Sequence, residues 1–364
     1  MNAESAESRT ARETAEGLWQ AVTAGDEYTA TRTALTALDR GMDPETLLLD
    51  VIAPVQRRIG GEWAANRLTV AQEHAATAIN DRIVAALVVR THDGGPPDRR
   101  RGTATVACVD GEWHALPARL LAEVLTLRGW HVDYLGAQVP TPHLIRHLHR
   151  TGPDVVALSS SIATRLPAAH AAITACQALS VPVLAGGAAF GEHGQYARLL
   201  GADVWAPDAR AAADRLEGPL PVRRPDPHQP VDDLPHLADQ EYTLVARSRP
   251  QLVKAMMTGL EERLPAVASY TELQRQHTAE DCAHIVDFLA TALYTDDDEL
   301  FSGFITWTAS ILAARHVPAA TLPPTLDLLG AELRDLPRAL RVLAHARDAL
   351  AGAVPSPAGH GSRS

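Results

Sequence analysis

The chain has 364 residues, 46% of them hydrophobic and 21% charged, enough for two or three domains with cores of their own. Its formal net charge of -11 opposes broad contact with nucleic-acid phosphates, and no apolar run approaches the roughly 20 residues that span a bilayer. The opening MNAESAESRTARE lacks the basic-then-apolar order of a signal peptide, and Cys108, Cys176 and Cys282 show no CxxC spacing, so a cytoplasmic protein without disulfides or a thiolate zinc site is expected.

Residues 1–95 read as a helical cap, a four-helix bundle in its simplest form. In DPETLLLDVIAPVQRRI, Asp43 is the expected N-cap and Pro44 the first helical residue. In TVAQEHAATAINDRIVAALVV, Thr69 is the expected cap, and Val70, Ala71, His74, Ala78 and Ile79 fall near one face. PPDRRRG, at 96–102, reads as a solvated linker rather than a DNA-binding arm. From 103 the pattern changes to β-branched runs alternating with helices: TATVACV, a helix over 115–128, HVDYLG, a helix, DVVALSS, a helix, VPVLAGG, DVWAP, and a last helix ending near Leu216. Residues 102–220 are therefore expected to form a flavodoxin-like, doubly wound parallel sheet. A proline-rich linker follows at 221–240. Residues 241–352 return to helical periodicity with no credible strand, and 353–364 read as a disordered tail. The fold class is thus α/β plus all-α.

Doubly wound sheets bind ligands beyond the carboxyl ends of their strands. Three strand ends carry unusual residues: GEWHALP with Glu112 and His114 after the first, Ser159, Ser160 and Ser161 after the third, and Gly186 with Gly187 after the fourth. A loop histidine can ligate a metal through one ring nitrogen while a carboxylate two positions away accepts a hydrogen bond from the other. Small residues at the third and fourth ends leave a slot for a polar tail running down the sheet edge.

GEWHALP, the serine run and Gly-Gly together resemble the cobalamin-binding domain motif. The resemblance implies that His114 replaces the cofactor's own base as lower cobalt ligand, and that Ser159, Ser161, Gly186 and Gly187 accommodate the detached nucleotide tail. Pro117 stands where the motif has glycine, and proline suits the first turn of a helix. Upstream, GEWAANRLTVAQEHAAT is similar to the adenosylcobalamin photoreceptors of the CarH/LitR type, whose W-x9-EH pattern is met by Trp63, Glu73 and His74. In that family the Trp covers the upper adenosyl group and the Glu-His pair helps to hold it. After the Trp that family has a histidine that can take the upper cobalt position once light has removed the adenosyl group; here the residue is Ala64. No helix-turn-helix candidate precedes the cap, so direct transcriptional repression is not expected.

In the last segment, YTELQRQHTAEDCAHIVDFLATAL places His277, Asp281 and His284 at i, i+4 and i+7. Arg247, Arg249 and Lys254 precede them; Trp307, Arg315 and His316 follow. Such a set suits a tetrapyrrole, with cations for propionates, a His or Asp for pyrrole nitrogens and aromatics for ring faces; spacing alone favours a dimerisation or effector-docking bundle with a polar outer face. The order of segments resembles the photocobilins, which pair adenosylcobalamin with biliverdin. That resemblance implies a globin-like C-terminal domain with Arg247, His277, Asp281 and His284 as bilin contacts, either non-covalent or with a thioether to Cys282. The implied protein is a light sensor rather than an enzyme, a homo-oligomer whose state responds to light, with a downstream protein partner and neither nucleic acid nor membrane. The competing readings are a corrinoid carrier for methyltransferases, against which the closed upper face of W-x9-EH argues, and a cobalamin-regulated scaffold without bilin.

Overall fold

The computed structural model describes residues 6–91, 101–220, 234–315, 317 and 319–353. Most of PPDRRRG, the connector from 221 to 233, His316 and the tail from 354 lie outside the described residues. The chain divides into two compact units, Met1–Pro230 and Val231–Ser364.

The first unit opens with α1 (Ala6–Thr23) and α2 (Glu27–Asp39). Next, α3 (Pro44–Thr46) continues through a π-wound stretch, Leu47–Ile52, into α4 (Ala53–Ala64), and α5 (Val70–Thr91) completes the four-helix cap. The Asp43 carboxylate accepts the Thr46 N–H at 3.0 Å with Pro44 in the first turn. At α5 the Thr69 hydroxyl accepts the Gln72 N–H while the Gln72 side chain accepts the Thr69 N–H, a reciprocal cap. The π winding turns Leu47, Leu48, Val51 and Ile52 all inward. One expectation is corrected: α5 buries Ala76, Ile79, Asn80, Ile83, Val84 and Leu87, whereas Val70, Ala71 and His74 are exposed. The inward stripe begins only at Ala76, so the apolar residues of the first turn lie outside the bundle core.

The sheet follows as β1 (Thr103–Cys108), α6 (Ala115–Leu127), β2 (His131–Gly136), α7 (Thr141–Thr151), β3 (Val155–Ser159), α8 (Leu166–Ala178), β4 (Val183–Gly186), α9 (Gln195–Leu199), β5 (Val204–Ala206) and α10 (Ala209–Arg215). All pairings are parallel and the order is β2-β1-β3-β4-β5, the flavodoxin-like order. β3 is buried along its whole length, as expected of a strand with helices on both sides. Register sets Cys108 beside Ser159 and Ser159 beside Gly186, which gathers the three unusual strand ends on one edge. Cap residues Leu47, Val51 and Ile83 share one apolar core with Leu116, Leu120, Leu121 and Val124 of α6. At the same seam the Arg128 guanidinium grips Glu45 at 2.8 and 2.9 Å, and Arg210 reaches Glu45 at 3.2 Å and Asp50 at 2.8 Å.

The second unit contains α11 (Glu241–Arg247), α12 (Arg249–Arg263), α13 (Pro265–Ala268), α14 (Glu272–Thr295), α15 (Asp298–Ala314), α16 (Leu322–Glu332) and α17 (Pro337–Ala353), with no strand among the described residues. Thr271 and Gln274 cap α14 reciprocally, and Asp296 ends it in the left-handed conformation. Met256, Val286, Leu289, Leu293, Phe301, Ile305 and Leu329 form its core. Buried Glu241 accepts the first N–H groups of α17, from Arg338 at 3.0 Å and Ala339 at 2.8 Å. Among the described residues no helix is long and apolar enough to cross a membrane.

Candidate functional site

Where β1 ends, Gly111 turns the chain at φ +75° and Glu112 folds beneath it, fully buried. One carboxylate oxygen accepts the His114 ring Nδ1–H at 2.7 Å and the His114 backbone N–H at 2.8 Å. The other accepts the backbone N–H groups of Ser161 at 2.6 Å and Ile162 at 3.1 Å, and the Ser160 hydroxyl at 3.2 Å. Burial pushes the Glu112 carboxyl up, but these donors outweigh it and hold the group at about 2. The carboxylate in turn raises the His114 imidazole above its ordinary value, chiefly through the side-chain hydrogen bond, with Glu73 adding its field. With Nδ1–H given to Glu112, the Nε2 lone pair of His114 is left for a metal. The ring is 55% exposed at the N-cap of α6, and Trp113 beside it is exposed too. Pro117 occupies the first turn of α6, where no intrahelical N–H is lost.

The serine run divides its tasks differently from the motif reading. Ser160, outside the expected set, turns its hydroxyl to Glu112, while Ser161 contributes its backbone N–H and Ser159 ends β3 beside Gly186. Which hydroxyl turns inward depends on how the chain leaves β3, and three identical residues carry no sign of that. The signal that does exist is Glu112 itself, because a buried carboxylate demands donors from neighbouring strand ends. Gly187 has φ +100°, and a Cβ there would lie 2.2 Å from the Ser160 carbonyl oxygen; at Gly186 the nearest atom would stand at an ordinary 3.5 Å. Close approach of the β3 and β4 loops therefore requires glycine at 187 irrespective of any ligand.

From the cap, Trp63 lies half-buried in the last turn of α4. Glu73 accepts His74 Nδ1–H at 2.5 Å and the Thr77 hydroxyl at 2.8 Å, and its field reaches His114 across the gap. Behind it, Gln56 donates to Thr77 at 2.7 Å and Asn80 donates to Gln56 at 2.9 Å, an amide relay not foreseen from the sequence. His74 is 74% exposed. The first unit thus carries two carboxylate-imidazole pairs, one at the sheet edge and one on the cap. The donor set fits a corrinoid cobalt: with Nδ1–H fixed on Glu112, His114 would offer Nε2 to the metal.

In the second unit, His277, Asp281 and His284 line an exposed face of α14, and the fields of His284, His277 and Arg315 converge on Asp281. Partial burial pushes the Asp281 carboxyl above its ordinary range against their pull. It stands at a concavity of about 70 Å³ that Cys282, Thr308 and Leu312 also line, well below the roughly 300 Å³ of ordinary ligand pockets. Between α14 and α15, Phe288 and Phe304 stack at 3.7 Å, with Trp307 tilted at 6.3 Å to Phe304. Arg249 is committed to Asp287 at 2.6 and 3.0 Å, and Arg247 and Lys254 are exposed without ion pairs among the described residues. Cys282 is buried and its thiol pushed up to about 12, which disfavours the thiolate a thioether bond needs.

Residues 14–88 and 102–217 match two families, each described as a B12 binding domain. The chain is 32% identical over 185 residues to the HTH-type transcriptional repressor CarA of Myxococcus xanthus, covering 49% of this chain and 59% of that protein. It is 33% identical over 174 residues to the HTH-type transcriptional repressor CarH of the same organism, covering 46% and 55%. It therefore spans under two thirds of the length of either relative. A monomethylamine corrinoid protein of Methanosarcina barkeri has the same fold, with a TM-score of 0.50 and 18% identity over 57% of this chain and 98% of that one. The first unit is thus a cobalamin-binding module, a helical cap followed by a flavodoxin-like sheet, related to CarA and CarH.

Proposed function

We propose that the protein is a light sensor that holds adenosylcobalamin between cap and sheet, with His114 as the lower cobalt ligand. The observation that carries the ligand assignment is the His114–Glu112 pair, an exposed imidazole anchored on a buried carboxylate that five donors hold ionised. Bound adenosylcobalamin supplies a cobalt–carbon bond that light cleaves. Glu112 keeps the His114 proton on Nδ1 so that Nε2 stays available to the metal. Trp63, Glu73 and His74 would hold the cofactor from the cap side, and loss of the group they hold would free the cap helices to shift against the sheet. The signal then passes to subunit association and to a cytoplasmic protein partner, with no catalytic residue needed.

A bilin on the exposed α14–α15 face of a globin-like second unit extends the response to red light. Its support is the gathering of His277, Asp281 and His284 on one exposed face of α14, and the raised Cys282 thiol favours a non-covalent chromophore. A carrier of methyl groups for partner enzymes is the second reading; the exposure of His74 favours it, and the closed upper face that the W-x9-EH pattern implies argues against it.

The test is an absorption spectrum of protein loaded with adenosylcobalamin, before and after green illumination, in wild type and His114→Ala. Wild type should change with light, and the variant should already be shifted toward the base-off form in the dark. No light-induced change ends the sensor reading, and transfer of the methyl group from methylcobalamin to an acceptor enzyme establishes the carrier instead. Added biliverdin should give a red-shifted band; its absence removes the bilin.

A further inference from the structure

Resting on the ligand assignment above, we propose that Arg165 recognises the phosphodiester of the cobalamin's nucleotide tail and so selects complete corrinoids over tail-less ones. Arg165 ends the 3-10 turn Ala163–Arg165, three residues beyond the Ile162 N–H that helps to hold Glu112. It lies against the loop that carries His114: a Cβ on Gly111 would stand 3.1 Å from the Arg165 Nη1 and 3.2 Å from its Cζ. Its Nε is sealed from solvent and has no hydrogen-bond partner, and the side chain makes no ion pair among the described residues.

The other arginines whose Nε is sealed in this way are paired through charge, Arg119 with Glu123 at 2.7 Å and Arg338 with Asp239 at 2.7 Å. Glu112, which the neighbouring Ile162 N–H reaches, does not serve Arg165, because its carboxylate already takes five donors. A guanidinium with an uncommitted Nε therefore stands between the turn that follows β3 and the Gly111 turn that carries Glu112 and His114.

Charge balance says what it fits. A corrinoid ligated by a protein histidine has its own base displaced, and its tail carries one negative phosphodiester. Glu112 at the sheet edge and Glu73 on the cap both bring negative charge to bear on His114. An anionic tail entering beside them requires a counter-charge, and the planar fork of arginine matches phosphate oxygens.

The experiment titrates wild type, Arg165→Gln and Arg165→Lys with adenosylcobalamin, adenosylcobinamide phosphate and adenosylcobinamide, the last of which lacks phosphate and nucleotide. Wild type should bind both phosphate-bearing ligands roughly 10-fold or more tightly than adenosylcobinamide, the range of one charge-assisted hydrogen-bonded contact. Arg165→Gln should lose that preference with adenosylcobinamide affinity unchanged, and Arg165→Lys should keep part of it. An equal loss for all three ligands, or no loss, overturns the role of Arg165. If Arg165→Gln does not give the wild-type circular dichroism, the comparison rests on Arg165→Lys, whose full retention of the preference would equally overturn the fork geometry. Failure of wild type to bind any of the three removes the ligand assignment itself, a separate result from failure of the arginine.

Discussion

Glu112 is a charge kept in the interior by its neighbours, and its replacement by an isosteric amide measures what that charge does. Glu112→Gln keeps the volume but presents an N–H₂ group where only donors converge. It should weaken cobalamin affinity by roughly 10- to 100-fold, the usual effect of losing the partner of a ligating histidine. It should also destabilise the free protein by about 1–3 kcal/mol, because buried N–H groups lose an acceptor. A spectroscopic titration and a urea unfolding curve read the two effects separately. Gly187→Ala should destabilise by about 1–3 kcal/mol with no ligand present, since both its positive φ and the Ser160 carbonyl oppose a side chain; a thermal melt showing no change would contradict this. At this scale Glu112 and His114 were legible because two residues of complementary chemistry stood two positions apart at a strand end. The inward turn of Ser160 and the orphan position of Arg165 were not, because both follow from how separate loops approach.

The element to test is the seam between cap and sheet. Arg128 holds the Glu45 carboxyl below its ordinary value, with the side-chain hydrogen bond the largest cause and partial burial opposing it. A folded-state value below the unfolded one means that this stabilisation is present above the ordinary glutamate range and is lost as pH falls through the depressed value. Urea midpoints should therefore drop more between pH 7 and pH 4 in wild type than in Arg128→Met, which lacks the pair from the outset. Along α5 the two ends should respond in opposite ways. Ile83→Ala removes a buried side chain and should destabilise by about 2–5 kcal/mol, whereas Val70→Ser, on the bare first turn, should stay within about 0.5 kcal/mol without ligand. The caps at Asp43 and Thr69 were readable because they are local; the orientation of the first turn of α5 was not, because it depends on where the neighbouring helices stop.

For the whole molecule, each unit has a core of its own. Residues 231–353 expressed alone should give a helical circular dichroism spectrum and a cooperative melt; a non-cooperative melt would show that the second core depends on the first unit. Asp281→Asn together with His284→Ala should abolish any red-shifted biliverdin band while leaving the cobalamin spectrum unchanged. Loss of both spectra would point to misfolding.

By itself, the sequence determined what short-range rules can carry: the change of hydrophobic period at 103, the helix caps, the parallel βα alternation, and the carboxylate-imidazole pair that a strand end presents. Only the tertiary structure decided which groups complete each site, because burial and charge compensation join residues far apart in the chain. The Ser160 hydroxyl on Glu112 spans 48 positions, and the Asn80–Gln56–Thr77–Glu73 relay crosses two helices. Arg165 came to stand unpaired against Gly111 in the same way: local sequence encodes the turn it sits on, while the packing of two loops decides what remains for it to bind.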